Sequence, residues 1–560
     1  MAFQEKLRAA AGWLVVALVP LAALAYWPAL AAPFSAVKLA LVFWVAGLGA
    51  AALFLSGVSL RLPAPQEWVT AAWIYLLLQV VCGIASPHEY FGAAALAPLL
   101  AAVVIAALVS WAGRERALLA AIGASATVAA LVVVAQAGWG ADVFAPFGYR
   151  MVGSGVMRLS GTFGNPDFAA TFLAASAPAL LAGAVAAARS WLRVGSALGL
   201  AACGAAVALT GFRGGVLALA AGLVLVVVVL AEGRKRWIAG LAVALALGAL
   251  FLPASLHKRS LGEALEGRAF IWRAALPESA REWALGAGPN TFAYTYPARA
   301  GSEVQRHPSL VRFAGNEQHA ENDFVEALNE TGLPGLAALI AFFVLWFGAA
   351  WRVARSGETQ HAASLPMTRA AALGGMGALA TAACFDFPLH RPETLALLAI
   401  WAALPFPVEL AADARARSWG VRATVAAVLV VAAGWAGLGR IGASYHLRAG
   451  RNLEADGAYR TAADEYERAL RWDLASGEAH FNLARALAGS GQFTAALEET
   501  NTTRRYMDEP ALWILRYRIQ HAMGKDALPE LRAAAAKFPY SQALAREVEA
   551  ADSGAAPRAR

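Results

Sequence analysis

Four short polar clusters interrupt an otherwise apolar chain, and their side chains are of the kinds that bind phosphate esters and move protons. The first is Arg158-Leu159-Ser160-Gly161-Thr162-Phe163-Gly164-Asn165-Pro166-Asp167, and the second is Thr210-Gly211-Phe212-Arg213-Gly214-Gly215. The third lies in the segment 254–330: Arg268 and Arg273 in an amphipathic stretch, the turn-rich Gly286-Ala287-Gly288-Pro289-Asn290, then His319-Ala320-Glu321-Asn322-Asp323-Phe324 and Glu326, Glu330 and Gly332 to Gly335. The fourth is Asp386-Phe387-Pro388-Leu389-His390-Arg391-Pro392.

Guanidinium forks match phosphate oxygens two at a time and keep their charge when partly desolvated. Arg158, Arg213, Arg273 and either Arg268 or Arg312, gathered round one cleft, would bind a pyrophosphate and take up its charge as it leaves. A neutral histidine beside them would accept a proton from an attacking hydroxyl. Each cluster also has a plainer reading. Residues 158–167 would be a re-entry turn, Arg213 a side chain reaching headgroups, 319–330 a surface acidic helix, and His390 a packing or lipid-facing ring. No histidine or cysteine spacing suggests a metal site, and no glycine loop ends in Lys-Ser/Thr. Cofactors and metals are therefore not expected, and a cytosolic nucleotide-sugar enzyme is disfavoured. Cys82, Cys203 and Cys384 read as small buried hydrophobes.

The elements that must position these clusters follow from composition. The chain has 560 residues, 59% hydrophobic and 15% charged. Runs of apolar residues long enough to cross a bilayer recur through 10–253 and 331–438, since about 20 helical residues span about 30 Å of hydrocarbon. Spans are predicted at 11–31, 36–56, 68–85, 92–110, 117–136, 167–187, 194–210, 214–231, 237–253, 332–350, 370–387, 394–409 and 421–438, about thirteen in all. The fold class is thus all-α and polytopic. The net charge of +8 falls largely in short loops, which argues for topology setting over nucleic-acid binding. With Lys6 and Arg8 inside, alternate loops carry Arg61, Arg114, Arg116, Arg189, Arg193, Arg234, Lys235, Arg236, Arg352, Arg355, Arg415, Arg417 and Arg422. All four polar clusters then fall outside, together with everything after about 439.

From Tyr445 onward the pattern changes to charged helices with a 34-residue period. Gly457-Ala458-Tyr459 is matched by Gly491-Gln492-Phe493, Ala462 by Ala496 and Glu465 by Glu499. A degenerate third unit runs from Gly524 to Pro539. This resembles tetratricopeptide repeats, which stack helix pairs and dock partners; an ordinary helical bundle is the plainer reading. The domain division is 1–440 membrane domain with the loop 254–330, 441–545 helical repeats, and 546–560 a disordered tail.

Taken in order, Arg158–Pro166, Arg213-Gly214-Gly215, the Trp272-Arg273 neighbourhood, Gly286–Asn290, His319–Gly335 and Asp386–Pro392 resemble the successive motifs of the bacterial O-antigen ligase and O-antigen polymerase superfamily over about residues 10–440. The resemblance implies a bacterial inner-membrane, metal-independent, inverting glycosyltransferase. It would take a glycan from undecaprenyl pyrophosphate at the periplasmic face and hand it to lipid A-core, another glycan or a protein hydroxyl. It implies that Arg158, Arg213 and Arg273 grip pyrophosphate, with Arg268 near them. His319 would be the base or orient the acceptor, and Asn322 and His390 would line the pocket. Relatives read His-Ala-His-Asn where this chain has Glu321, so Glu321 is an alternative base. Ligase, polymerase and protein oligosaccharyltransferase stay open, as does a polysaccharide transporter or a scaffold. The implied partners are the lipid-linked glycan, its acceptor, the bilayer and a periplasmic protein on the repeats, with no nucleic acid.

Overall fold

The computed structural model describes residues 2–61, 66–88, 91–139, 159–231, 240, 261–355, 365–406, 408–412 and 418–553. Arg158 and most of the span predicted at 237–253 lie outside the described residues. The body is a polytopic helical bundle. Its helices are α1 (Ala2–Leu24), α2 (Ser35–Ser56), α3 (Glu67–Ala85), α4 (Gly92–Ala112), α5 (Glu115–Trp139), α6 (Pro166–Ala186), α7 (Ser190–Thr210) and α8 (Arg213–Leu230). An extramembrane unit of α9 (Leu261–Ala275), α10 (Ala280–Leu285) and α11 (Phe292–Arg306) precedes α12 (Asp323–Arg355), α13 (Leu365–Ala382), α14 (Pro392–Ala403) and α15 (Trp419–Ala455). Among the described residues, ten of these are long and apolar enough to cross a membrane. They coincide with ten of the predicted spans. The prediction at 370–387 falls on α13, and that at 394–409 on α14, which has only 12 residues. At 1.5 Å per residue α14 is about 18 Å long, too short to cross alone. Pro392 begins it, and Pro405 follows it closely.

Contacts sort the helix ends onto two faces. On one, Gln4 donates to the Ser56 carbonyl (2.7 Å) and Arg8 to that of Trp111 (2.7 Å). There a two-stranded antiparallel ribbon pairs Val58–Arg61 with Glu409–Ala412, and Phe3 packs on Trp419. Arg8, Arg61, Arg114 and Arg422 of the basic segments lie on this face. On the other, the Ser444 hydroxyl accepts from the Ala32 N–H (2.9 Å), Thr162 donates to the Ala23 carbonyl (2.6 Å), and Ser86 donates to that of Ala287 (2.8 Å). The extramembrane unit sits at this second face, hereafter the site face.

The bundle is held by close approach of small residues rather than by large interdigitating ones, the usual solution where lipid supplies no hydrophobic drive between helices. α6 is nearly all buried, with Ala169, Ala170, Ala174, Ala175 and Ala177 fully enclosed. At the crossing of α8 and α13, a β-carbon on Gly374 would stand 2.6 Å from the Gly222 carbonyl oxygen. Glycine is required there because the two backbones touch.

α15 has 37 residues, about 55 Å of helix, and therefore runs on past a bilayer core into the charged C-terminal region. Six more helices follow: α16 (Tyr459–Trp472), α17 (Gly477–Gly489), α18 (Phe493–Thr503), α19 (Pro510–Ala522), α20 (Leu528–Lys537) and α21 (Gln542–Asp552). The sequence period reappears as repeated contacts. His446 bonds Glu465, and His480 bonds Glu499, each residue 34 after its counterpart. This region docks on the extramembrane unit at the site face. Tyr294 donates to the Arg504 carbonyl (3.1 Å), Gln305 to that of Ala536 (2.7 Å), Tyr540 to that of Pro297 (3.2 Å), and Asn316 to Glu509 (2.9 Å).

Candidate active site

The site is built where the start of α12 meets the turn between α13 and α14. Asn322 begins α12 as its cap, its Oδ1 accepting the N–H groups of Phe324 (2.9 Å) and Val325 (3.1 Å). Such a cap satisfies donors that the first helical turn leaves without partners. Its amide also donates to the Cys384 carbonyl (3.0 Å), and the Asp323 N–H donates to that of Ala383 (2.9 Å). These bonds fix the two elements together. Just upstream, Trp272 of α9 donates to the Ala320 carbonyl (3.0 Å), and Glu321 takes up the left-handed conformation (φ 53°). The start of α12 is also held from behind by the Gly286–Asn290 turn, whose Ala287 and Gly288 N–H groups donate to the carbonyls of Asn329 (2.8 Å) and Glu330 (3.0 Å). Gly286 has φ 68°, and a β-carbon there would stand 2.1 Å from the Glu330 carbonyl carbon.

Two carboxylates and two imidazoles share this junction. Glu326, one turn into α12, accepts from the Ala320 N–H (2.9 Å) through Oε2 and meets His319 Nδ1 at 2.8 Å through Oε1. The same Oε1 lies 3.5 Å from His390 Nε2. His390 Nδ1 is 3.0 Å from Asp323 Oδ1, whose other oxygen accepts the Leu389 N–H (3.0 Å). The two carboxylates are buried, while the rings keep open edges, 24% exposed for His319 and 29% for His390. His319 stacks on Phe387 with centroids 4.0 Å apart.

Burial holds His319 below its ordinary value, against the opposing pull of Glu326, so it is neutral at neutral pH. Burial also opposes protonation of His390, but Glu326 and Asp323 outweigh it and raise this ring to about 10. His390 is thus a standing cation. Burial, with Asp386 and Asp167 nearby, raises Glu321 to about 8 in spite of Arg268, so this group is protonated at neutral pH. Asp386 is raised by burial as well; it accepts from Thr171 (2.9 Å).

The predicted residues are distributed as follows. His319, Glu321, Asn322 and His390 come together at this junction. Arg268 reaches it from α9, donating to the Phe385 carbonyl (3.1 Å). Arg213 opens α8, and a β-carbon on the adjacent Gly214 would stand 2.9 Å from Phe385 Cβ. Arg213 therefore begins its helix beside the same turn. Arg273 lies on the outer side of the extramembrane unit, 3.6 Å from Glu303, and Arg312 pairs with Glu266 (2.8 Å). Sequence reasoning did not assign roles to Asp323, Glu326 or Arg391. Arg391 lies over the rings of Phe168 and Phe387 (3.0 and 4.5 Å to the centroids), and burial lowers it to about 10. The available signal was position: Asp323 and Glu326 are three apart on one helical face immediately after His319, and Arg391 is adjacent to His390.

Among the described residues, His319, Glu326 and His390 could hold a metal ion, their ligand atoms lying within 4.8 Å of one another. The same contacts link the four groups in a proton-sharing chain. The arrangement offers a neutral ring with a carboxylate behind it, a second, cationic ring, and the Arg268 and Arg391 guanidinium groups at Phe385 and Phe387.

No curated protein matches the chain. Residues 198–340 match the family model described as O-Antigen ligase, from within α7 to within α12, a stretch that contains Arg213, Arg268, His319, Glu321, Asn322 and Glu326. The match supports O-antigen ligase-like glycan transfer at the family level by this multi-pass membrane protein.

Proposed function

We propose that the protein transfers a glycan from undecaprenyl pyrophosphate to an acceptor hydroxyl, in the manner of an O-antigen ligase, with the site face toward the periplasm of an inner membrane. The observation that carries this reading is the buried Glu326 carboxylate set behind a neutral His319, inside the region matched by the ligase family model. The concentration of cationic loops at the opposite face supports the orientation.

The His319 Nδ1–H donates a hydrogen bond to Glu326, which leaves Nε2 with a lone pair as the base. The acceptor O–H bond breaks toward Nε2, the oxygen attacks the anomeric carbon from the side opposite the lipid, and the bond to the diphosphate oxygen breaks with inversion. The imidazolium that forms is stabilised by Glu326, and the departing diphosphate by Arg213 and its cationic neighbours. Fixed charges aimed at developing charge usually supply the largest share of catalysis. Glu321, protonated at neutral pH, is the poorer base and suits hydrogen-bond donation instead. Metal ions have no step in this scheme.

The test is transfer by the purified full-length protein, using a lipid-diphosphate-linked glycan and a hydroxyl acceptor. His319→Ala should lower turnover at least 10³-fold, within the range known for removal of such a base, and a chelator should leave wild-type turnover unchanged. Wild-type rates in His319→Ala refute the reading. Long lipid-linked polymer accumulating in cells without the protein favours ligation, whereas single units accumulating there favour polymerisation.

A further inference from the structure

A second group of charges adjoins Phe387, the ring on which His319 stacks. A cleft opens at the site face between the connection of α1 to α2, the Gly161–Phe163 turn and the start of α14, with Phe34, Lys38, Phe163, Phe168, Arg391 and Glu393 in its walls. Lys38 is a cation within an apolar 22-residue helix and is only 1% exposed. Its ammonium donates to the Thr162 carbonyl (3.0 Å) and lies 4.1 Å from the Phe163 ring centre. Arg391 flanks the same space from the opposite wall; its Nε is buried with no hydrogen-bond partner. Glu393 is the one carboxylate among the lining residues, and Asp386, Glu321 and Glu326 act on Arg391 from the His319 side.

Burying two cations around a single lining carboxylate is costly, and an intramembrane charge kept in spite of that cost points to a functional site. The walls are also fixed in advance. The Gly161 N–H donates to Gln136 (2.8 Å), and Thr162 is tied to α1 through the Ala23 carbonyl. We infer that this cleft seats the diphosphate of a polyprenyl diphosphate, with Lys38 and Arg391 as cations on it in addition to Arg213, and with Phe34, Phe163 and Phe168 against the first apolar units of the lipid. The inference rests on the donor chemistry proposed above and adds the place where the leaving group is held. Phe387 contacts both Arg391 and His319. A diphosphate on Arg391 therefore sits next to the ring on which the base is stacked.

The experiment uses the full-length protein in detergent micelles and a fluorescent farnesyl diphosphate, which carries no sugar and cannot turn over. Lys38→Met and Arg391→Met should each weaken binding at least tenfold, while Lys38→Arg and the distant Arg532→Met stay within about threefold, since Arg keeps the charge. Replacing a buried lysine by methionine should leave thermal stability equal or higher. A marked drop in stability makes Lys38 a structural group and overturns the inference. Binding unchanged in both methionine variants overturns it as well. Equal binding of farnesyl monophosphate overturns the diphosphate assignment, and equal competition by inorganic pyrophosphate overturns the lipid assignment. Normal probe binding by a wild-type protein that transfers no glycan sinks the transferase reading and supports this site. Normal transfer with variants that bind as wild type does the reverse.

Discussion

Replacing Glu326 by glutamine isolates the charge behind His319, because the amide keeps the shape and can still accept the Ala320 N–H. An imidazolium and a carboxylate at 2.8 Å attract by about 6 kcal/mol at an effective dielectric of about 20. Net of hydration, a charge-assisted hydrogen bond contributes about 1.5–3 kcal/mol. At about 1.4 kcal/mol per tenfold, losing the charge slows the step about 10- to 100-fold. A second effect adds to this. With its oxygen on Ala320, the amide presents N–H to His319 Nδ1, which favours the tautomer whose Nε2 carries the proton and cannot act as base. The analogous change in serine proteases costs about 10⁴. Glu326→Gln should therefore lower single-turnover transfer by about 10²- to 10⁴-fold. Binding of the fluorescent farnesyl diphosphate should stay unaltered and Glu326→Asp should be partly active. The acid limb of the residual activity should move to lower pH, because Glu326 raises His319. A glutamine variant within threefold of wild type would refute the account of His319 as a carboxylate-backed base.

Three further outcomes follow. Because burial holds His319 below its ordinary value, wild-type kcat/KM should be flat across neutral pH and fall only below about 6.5, as protonation removes the base; a midpoint above 7 contradicts this. His390 is raised in the fold to about 10, so its contribution to stability is fully present below about 6.5 and lost as pH rises toward 10. The Tm difference between wild type and His390→Gln should shrink over that window, and a constant difference refutes the ion-pair origin. Gly286→Ala meets both a positive φ and the Glu330 backbone at 2.1 Å, whereas Gly211→Ala meets a positive φ with nothing within 4 Å. Thermal unfolding should show the Gly211 change costing about 1–2 kcal/mol and the Gly286 change clearly more.

The membrane body was legible because run length and loop charge are one-dimensional signals, and the contacts that sort helix ends onto two faces follow the same alternation. The 34-residue period was legible as well, and it returns in the paired His446–Glu465 and His480–Glu499 contacts. At α14 apolarity continues past the helix end at Ala403 into Leu404, Pro405 and Phe406, so hydropathy extends where helix does not. At the site, motif order pointed to His319, Asn322 and His390, which the fold brings to one junction, with Asn322 also capping α12. Asp323 and Glu326 were passed over because acids in a first helical turn are ordinary. Only the fold reveals that both are buried against imidazoles. Arg273 shares a helix with Arg268 but lies five residues away, far enough around the axis to face Glu303. Lys38 was one cation in an apolar run, and Arg391 was masked by two prolines. Nothing local to either residue announces the cleft they share.

The most direct test of the central claim follows the anomeric configuration and the lipid product together during transfer by purified wild-type protein. The account predicts one polyprenyl diphosphate released per glycan transferred, with inverted configuration at the new bond, and loss of both signals in His319→Ala. Retained configuration, or undiminished transfer in that variant, would contradict it.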